Sequence, residues 1–220
     1  MRPSLGRRVV AEGLGTAFLL AAVVGSGIMG ERLAGGNVAL ALLPNALATG
    51  AVLLALLLTF GKVSGAHFNP VVSLASIDAD FPWEEAAIYV VAQVTGAMLG
   101  VMIAHGMFEI PLAVSTHTRA GGAQVFSEAV ATFGLLFTIQ GVGRLQPASV
   151  PTAVAAYVVG AYWFTASTAF ANPAVTLARC LTNTFTGIRP QDAPAFIIAQ
   201  LVGAAAAVGV GRWLFGDQSP

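Results

Sequence analysis

Apolar residues fall into six long runs, at roughly 9–29, 39–60, 84–107, 123–143, 149–168 and 192–214. Each is close to the ~20 residues a helix needs to cross a hydrocarbon core about 30 Å thick. The breaks between them carry turn formers: Gly30, Gly35-Gly36, Gly61, Gly121-Gly122, Gly143 and Pro147. The pattern predicts six transmembrane helices. Arg2, Arg7 and Arg8 ahead of the first run imitate a signal peptide, but Glu12 interrupts that run and it continues to about Ile28. That is too long for a cleaved hydrophobic region, so it is read as the first span. Two further stretches, Ser64–Ser76 and Ser167–Cys180, fit neither span nor ordinary loop. Each starts with small and polar residues, reads Asn-Pro, and then turns apolar.

These two stretches match. Aligned on Asn-Pro, they share Ser64/Ser167, Ala66/Ala169, Asn69/Asn172, Pro70/Pro173, Val72/Val175, Leu74/Leu177 and Ala75/Ala178. Glu12-x-x-x-Thr16 is echoed by Glu128-x-x-x-Thr132, and Ala92-Gln93-x-x-Gly96-Ala97 by Ala199-Gln200-x-x-Gly203-Ala204. Three echoes in the same order define an internal repeat, copy one over about 9–107 and copy two over about 123–214, within a single domain spanning 1–220. Three spans per copy is an odd number, so the second copy enters from the opposite side and the repeat is inverted. An Asn-Pro segment that crossed the bilayer would destroy this parity, and residues 69–77 make only about 13 Å of helix. Each must enter and leave on one face.

Composition agrees with a membrane bundle. Charged residues are 9% of the chain, against roughly 25% in soluble domains. Hydrophobic residues are 56% and the mean hydropathy is +0.80. Ten Lys and Arg balance ten Asp and Glu, which gives no reason to expect a nucleic-acid partner. Cys180 is the single cysteine, so an internal disulfide and a cysteine metal cluster are excluded, and no metal or cofactor is expected. The ten Lys and Arg divide six (Arg2, Arg7, Arg8, Lys62, Arg144, Arg212) against four (Arg32, Arg119, Arg179, Arg189) between the two faces. This bias favours cytoplasmic N- and C-termini.

Asn is a good helix N-cap, and Pro at the first helical position forfeits no hydrogen bond. Asn69-Pro70 and Asn172-Pro173 therefore start short helices whose N-termini meet at mid-depth. Their partial positive charges oppose cations and protons. The Asn amides offer donors, and the carbonyls of Gly65, Ala66 and His67 and of Thr168, Ala169 and Phe170 offer acceptors. Irregular backbone at this depth must line wet space or be packed in protein. The result is a path for a polar but uncharged molecule.

Across essentially the whole chain the sequence resembles the aquaporin and glycerol-facilitator (major intrinsic protein) family. The resemblance rests on Asn69-Pro70-Val71, Asn172-Pro173-Ala174, Ser64-Gly65-Ala66-His67 and the two Ala-Gln-x-x-Gly-Ala elements. It implies an all-α bundle of six transmembrane helices and two re-entrant half-helices. It also implies a passive channel in the cell membrane (plasma or bacterial inner), and a homotetramer. Two departures matter. Val71 stands in place of Ala, a steric change at the midplane, and Val175 stands where the family usually places Arg. By the same resemblance the other constriction positions fall on Thr49, Gly160 and Ala169. All four are small or medium and uncharged, so the filter is expected to be wide and rather apolar. The Val-for-Arg pattern is similar to that of bacterial members linked to arsenic resistance. The expected solutes are water, glycerol- or urea-like molecules and undissociated metalloid acids such as arsenite.

Several residues admit two readings. Glu12 and Glu128 are either proton carriers or, as their duplication favours, acceptors that hold the re-entrant backbone. His67 is pore-facing or a buried structural imidazole, whereas His105 and His117 read as surface residues. Arg179 lies one turn after Val175 and either lines the outer vestibule or satisfies the end of its half-helix. Cys180 reads as a packed small residue. Gly96, Gly100 and Gly203 read as helix-contact surfaces. An ion- or proton-coupled transporter is the competing function, since such proteins also use inverted repeats and broken helices. An enzyme is not expected, because no nucleophile–base or metal constellation is present.

Overall fold

The computed structural model describes residues 2–78 and 80–216. Six long helices and two short ones make up the regular structure: α1 Leu5–Leu33, α2 Val38–Ser64, α3 Pro70–Ala75, α4 Trp83–Phe108, α5 Gly122–Leu145, α6 Val150–Phe164, α7 Pro173–Ala178 and α8 Ala193–Phe215. Among the described residues there is no strand. Five of the long helices are long and apolar enough to cross a membrane by length and composition alone. The exception is α6, whose 15 residues reach about 22 Å; a 3₁₀ turn at Pro147–Ser149 extends it. The run expected to be helical to residue 168 stops at Phe164. Thr165 is already extended (φ −110°, ψ 138°) and its hydroxyl turns back to the Ala161 carbonyl. The residues beyond it are needed for the re-entrant lead-in, not for the span.

The bundle is apolar outside and polar within. Large side chains such as Phe18, Leu47, Met102 and Ile103 lie on its exterior, while Glu12, Thr16, Ser73, Gln93, Glu128, Thr132, Thr176 and Gln200 are all 0% exposed. α1 packs against α2 and α4, and α5 against α6 and α8, so each half has its own three-helix frame. Small residues set how closely these helices approach. A Cβ on Gly96 would strike the Gly13 backbone, one on Gly100 the Ala17 carbonyl, and one on Gly203 the Ala129 carbonyl. A backbone carbonyl cannot swing aside as a side-chain tip can. Gly96→Val should therefore force α1 and α4 apart at an overpacking cost of about 1–3 kcal/mol or more. A lowered detergent-solubilised melting temperature is the expected result, with Gly106→Ala, which meets open space, as the neutral control.

Candidate functional site

The half-helices form as their first residues dictate. Asn69 and Asn172 are extended N-caps, with Oδ1 accepting from Val71 N (3.1 Å) and from Ala174 N (3.0 Å) and Val175 N (3.3 Å) respectively. Their amide nitrogens cross over. Asn69 Nδ2 donates to Ala171 O, and Asn172 Nδ2 donates to Phe68 O, each at 2.8 Å. Each amide has a second N–H, and both residues line a central cavity. The lead-ins repeat the same backbone. Gly65, Ala66 and Phe68 have φ of +91°, +51° and +49°, and Thr168, Ala169 and Ala171 have +61°, +49° and +47°. Five non-glycine residues in the left-handed region carry strain that surrounding contacts must hold.

Two buried glutamates supply that hold. Glu12 Oε1 accepts from Ser64 Oγ (2.6 Å) and His67 N (2.9 Å), and its Oε2 accepts from Phe68 N (2.7 Å) and Gln93 Nε2 (2.8 Å). Glu128 accepts from Phe170 N (2.9 Å), Ala171 N (2.8 Å) and Gln200 Nε2 (2.6 Å). Gln93 also donates to Ser73 Oγ and Gln200 to Thr176 Oγ1, both at 2.9 Å. With their N–H groups drawn toward the glutamates, the carbonyls of residues 65–67 and 168–170 accept no hydrogen bond among the described residues.

The cavity has a volume of about 210 Å³ and runs past both asparagines. One end is bounded by Leu57, Ser76, Ile139 and Val150, and the other by Thr49, Tyr162, Val175 and Arg179. Of the sequence-predicted residues, Gly65, Ala66, His67, Ala169, Phe170, Thr49 and Val175 line it, with Asn69 and Asn172 between its ends. Others do not. Pro70, Val71, Pro173 and Ala174 are buried behind the lumen. Val71 packs beside Leu136 and Ala204, so its extra methyls fill core and do not narrow the path. Thr168 is outside the lining, and so is Gly160, which is exposed with open space where a Cβ would be. The lumen face of α6 is Val154, Tyr157, Val158 and Ala161, at helical spacing, and Gly160 lies about 120° from its centre.

Four residues gain a meaning the sequence did not give them. Tyr162, 4% exposed, donates from its hydroxyl to Thr49 Oγ1 (3.2 Å), closing the wall between α6 and α2. Arg119 straps the second lead-in: Nε donates to Gly187 O (2.7 Å), Nη1 to Ser167 O (3.3 Å) and Nη2 to Phe185 O (3.3 Å). Asp192 accepts from the Arg119 backbone N–H (2.8 Å) and is paired with Arg189 (2.9 Å). The Arg189 hydrogen bond, helped by the Arg119 N–H, holds the Asp192 carboxyl below the usual carboxylate range. This clamp is complete above the ordinary Asp range and is lost as pH falls through the depressed value. His105 is not a surface residue. It is 3% exposed, with Nε2 at 2.7 Å from Thr182 Oγ1 and Nδ1 near the Ile110 and Pro111 carbonyls. His117 is exposed as expected.

The alternatives for His67 and Arg179 resolve by position. His67 combines both roles: it borders the cavity while its ring packs edge-on against Phe81 and Tyr89 and its Nδ1 sits 3.1 Å from Ser73 Oγ. Arg179 turns away from the carbonyls that end α7. Its Nε donates to Thr186 O, and its guanidinium carbon lies 3.4 Å from the Phe170 ring centroid. A desolvated cation–π contact of this kind is worth about 2 kcal/mol. Cys180 is half-buried, with its sulfur 3.5 Å from Thr176 O.

A lumen threaded between two opposed half-helices, with no cluster of metal ligands among the described residues, defines a channel. A profile of the family described as major intrinsic protein matches residues 1–166 and 145–218. The chain is 52% identical over 218 residues to "Aquaglyceroporin AqpS" of Rhizobium meliloti (strain 1021), covering 98% of this chain and 93% of that one. It is 31% identical over 199 residues to "Aquaporin NIP2-3" of Zea mays, covering 84% of this chain and 64% of the maize protein. The X-ray structure of the aquaglyceroporin from Plasmodium falciparum shares the fold, with a TM-score of 0.71 and 22% identity over 98% of this chain and 97% of that one. The chain belongs to the major intrinsic protein family. It is a multi-pass membrane channel for small neutral solutes, not an enzyme.

Proposed function

We propose that the channel passes small neutral polar solutes wider than water: glycerol- and urea-like molecules, and undissociated metalloid acids such as arsenite. The observation that carries this reading is the lining of the lumen. Apolar Leu19, Val23, Leu53 and Val154 share it with the lead-ins at 65–67 and 169–170, whose carbonyls have no other donor. A molecule with C–H groups on one side and hydroxyls on the other matches both. Thr49, Ala169 and Val175 are small or medium and uncharged, and one similar protein is named an aquaglyceroporin. Asn69, Asn172 and the unpaired carbonyls then replace the solute's hydration, while Glu12 and Glu128 act as scaffold. The face carrying the chain termini is read as cytoplasmic, in the cell membrane of a bacterium, and the assembly as a homotetramer. In proteoliposomes, stopped-flow swelling should show glycerol, urea and arsenite entering well above the lipid leak without any ion gradient. Movement of water alone would overturn the solute reading. Native mass spectrometry tests the tetramer.

A further inference from the structure

Arg179 is a lumen residue with unspent donors. Its side chain is 2% exposed, yet it borders the cavity beside Val175 and Tyr162. Only Nε has a protein acceptor, the Thr186 carbonyl. Neither terminal nitrogen has one among the described residues, and neither is sealed from the lumen. Arg119 makes the contrast. Its Cζ also lies near Phe170, 5.0 Å from the centroid, but all three of its nitrogens are committed to backbone carbonyls. No carboxylate lines the cavity, and no ion pair neutralises Arg179 among the described residues.

The position is informative. Val175 and Arg179 share one face, and four residues of helix separate them by about 6 Å. Phe170 lies against the guanidinium plane and fixes its orientation. A guanidinium presents N–H donors in a planar fork and keeps its charge. In a narrow lumen of low effective dielectric such a charge repels cations more strongly than it would in water. We propose that Arg179, braced by Phe170 and Thr186, is a specificity-determining residue of this channel. Its terminal N–H groups form a docking point for the oxygen atoms of neutral hydroxylated solutes, and its charge forms a cation barrier one turn beyond Val175. The wide-looking Thr49/Ala169/Val175 ring is therefore followed by a second, polar selection step. This inference rests on the channel reading above.

The test uses the full-length protein in proteoliposomes, with glycerol swelling and potassium leak under an imposed potential as separate readouts. R179M removes donors and charge at similar length, and R179K restores the charge without the planar fork. Expected for R179M is a potassium leak about tenfold above wild type, with glycerol losing ground relative to urea. R179K should keep the low leak but not the glycerol preference. Folded R179M that retains wild-type leak and solute preference would overturn the proposal and leave Arg179 as a strap for the 182–188 loop. Failure of wild-type protein to pass glycerol would instead overturn the solute reading, and the potassium arm would still decide the barrier. Should R179M not fold, wild-type protein provides the second arm. Butanedione, a small arginine reagent, should label Arg179 but not Arg119 by peptide mapping, should slow glycerol flux, and should be held off by glycerol. An unlabelled Arg179 overturns the proposal.

Discussion

Replacing Glu128 with Gln should remove most of the folded channel, not merely alter its transport. Every partner of this side chain is a donor: Phe170 N on one oxygen, Ala171 N and Gln200 Nε2 on the other. A Gln side chain keeps one acceptor oxygen and substitutes an NH₂ for the second. In either orientation that NH₂ points at a buried backbone N–H, so at least one donor is orphaned and faces another donor. A stranded buried polar group costs about 1–3 kcal/mol, and weakening the remaining bonds to a neutral acceptor adds a similar amount. The total, about 3–5 kcal/mol, is comparable to a domain's whole stability. Glu12→Gln is expected to be at least as severe, since that carboxyl serves four donors and holds Ser64 as well as the backbone. The measurement is the yield of monodisperse protein from membranes, with a thermal melt of whatever is recovered. Glu84→Gln, an exposed position on α4, should leave both unchanged. Normal yield of Glu128→Gln protein together with loss of proton-driven uptake would sink the scaffold role and revive a proton-transfer role.

Val175→Arg is expected to shift selectivity strongly against wider solutes. Val175 is 6% exposed and borders the lumen, whose lining also includes Thr49 and Ala169. A guanidinium there takes up cross-section at an end of the lumen that Tyr162 and Arg179 already border. It would also sit one helical turn from Arg179. Two like charges about 6 Å apart repel by about 3 kcal/mol at an effective dielectric of 20, so one of the two must be displaced or the site loosens. Glycerol, urea and arsenite permeation should fall about tenfold or more relative to water. Pairing the change with R179M should recover stability, because the positive charge is then moved inward and not duplicated. Such coupling is the expected non-additive result for neighbours sharing one site. An unchanged solute-to-water ratio in folded Val175→Arg protein would mean that this position does not control the path.

The span pattern and the Asn-Pro repeats were legible because each has a strong local cause: apolar length for the spans, N-cap chemistry for α3 and α7. The duplication of Glu12 and Glu128 in apolar runs pointed to acceptors for the re-entrant backbone, whereas the part of Gln93 and Gln200 in holding those carboxyls emerges only from the structure. The α6 face was not legible. Helical register carries an error of about 100° per residue, so a single step of misalignment puts Gly160 in place of Ala161. Val71 was misread for a related reason: the motif marks where the half-helix starts but not which of its residues turn inward. Tyr162, Arg119 and Arg179 acquire their roles through tertiary contacts: Tyr162 with Thr49 on α2, Arg179 with the turn at Thr186, and Arg119 with a loop far along the chain. Arg119, for instance, reaches the carbonyls of Phe185 and Gly187 across 66 and 68 residues, and no local pattern announces such a contact.

The crossed amides of Asn69 and Asn172 make the order of synthesis matter. The Phe68 carbonyl and the Asn69 amide find their partners on a segment 102–104 residues downstream. While the first three long helices are already in the bilayer, that carbonyl and that amide have no mates, and hydrocarbon cannot supply any. The first re-entrant segment must therefore wait in a wet or shielded setting until the second one is made. Neither half is a finished product by itself, and a chain arrested after α4 should be handed to quality control. Loss of either half would strand the carbonyl or the amide that the other half completes.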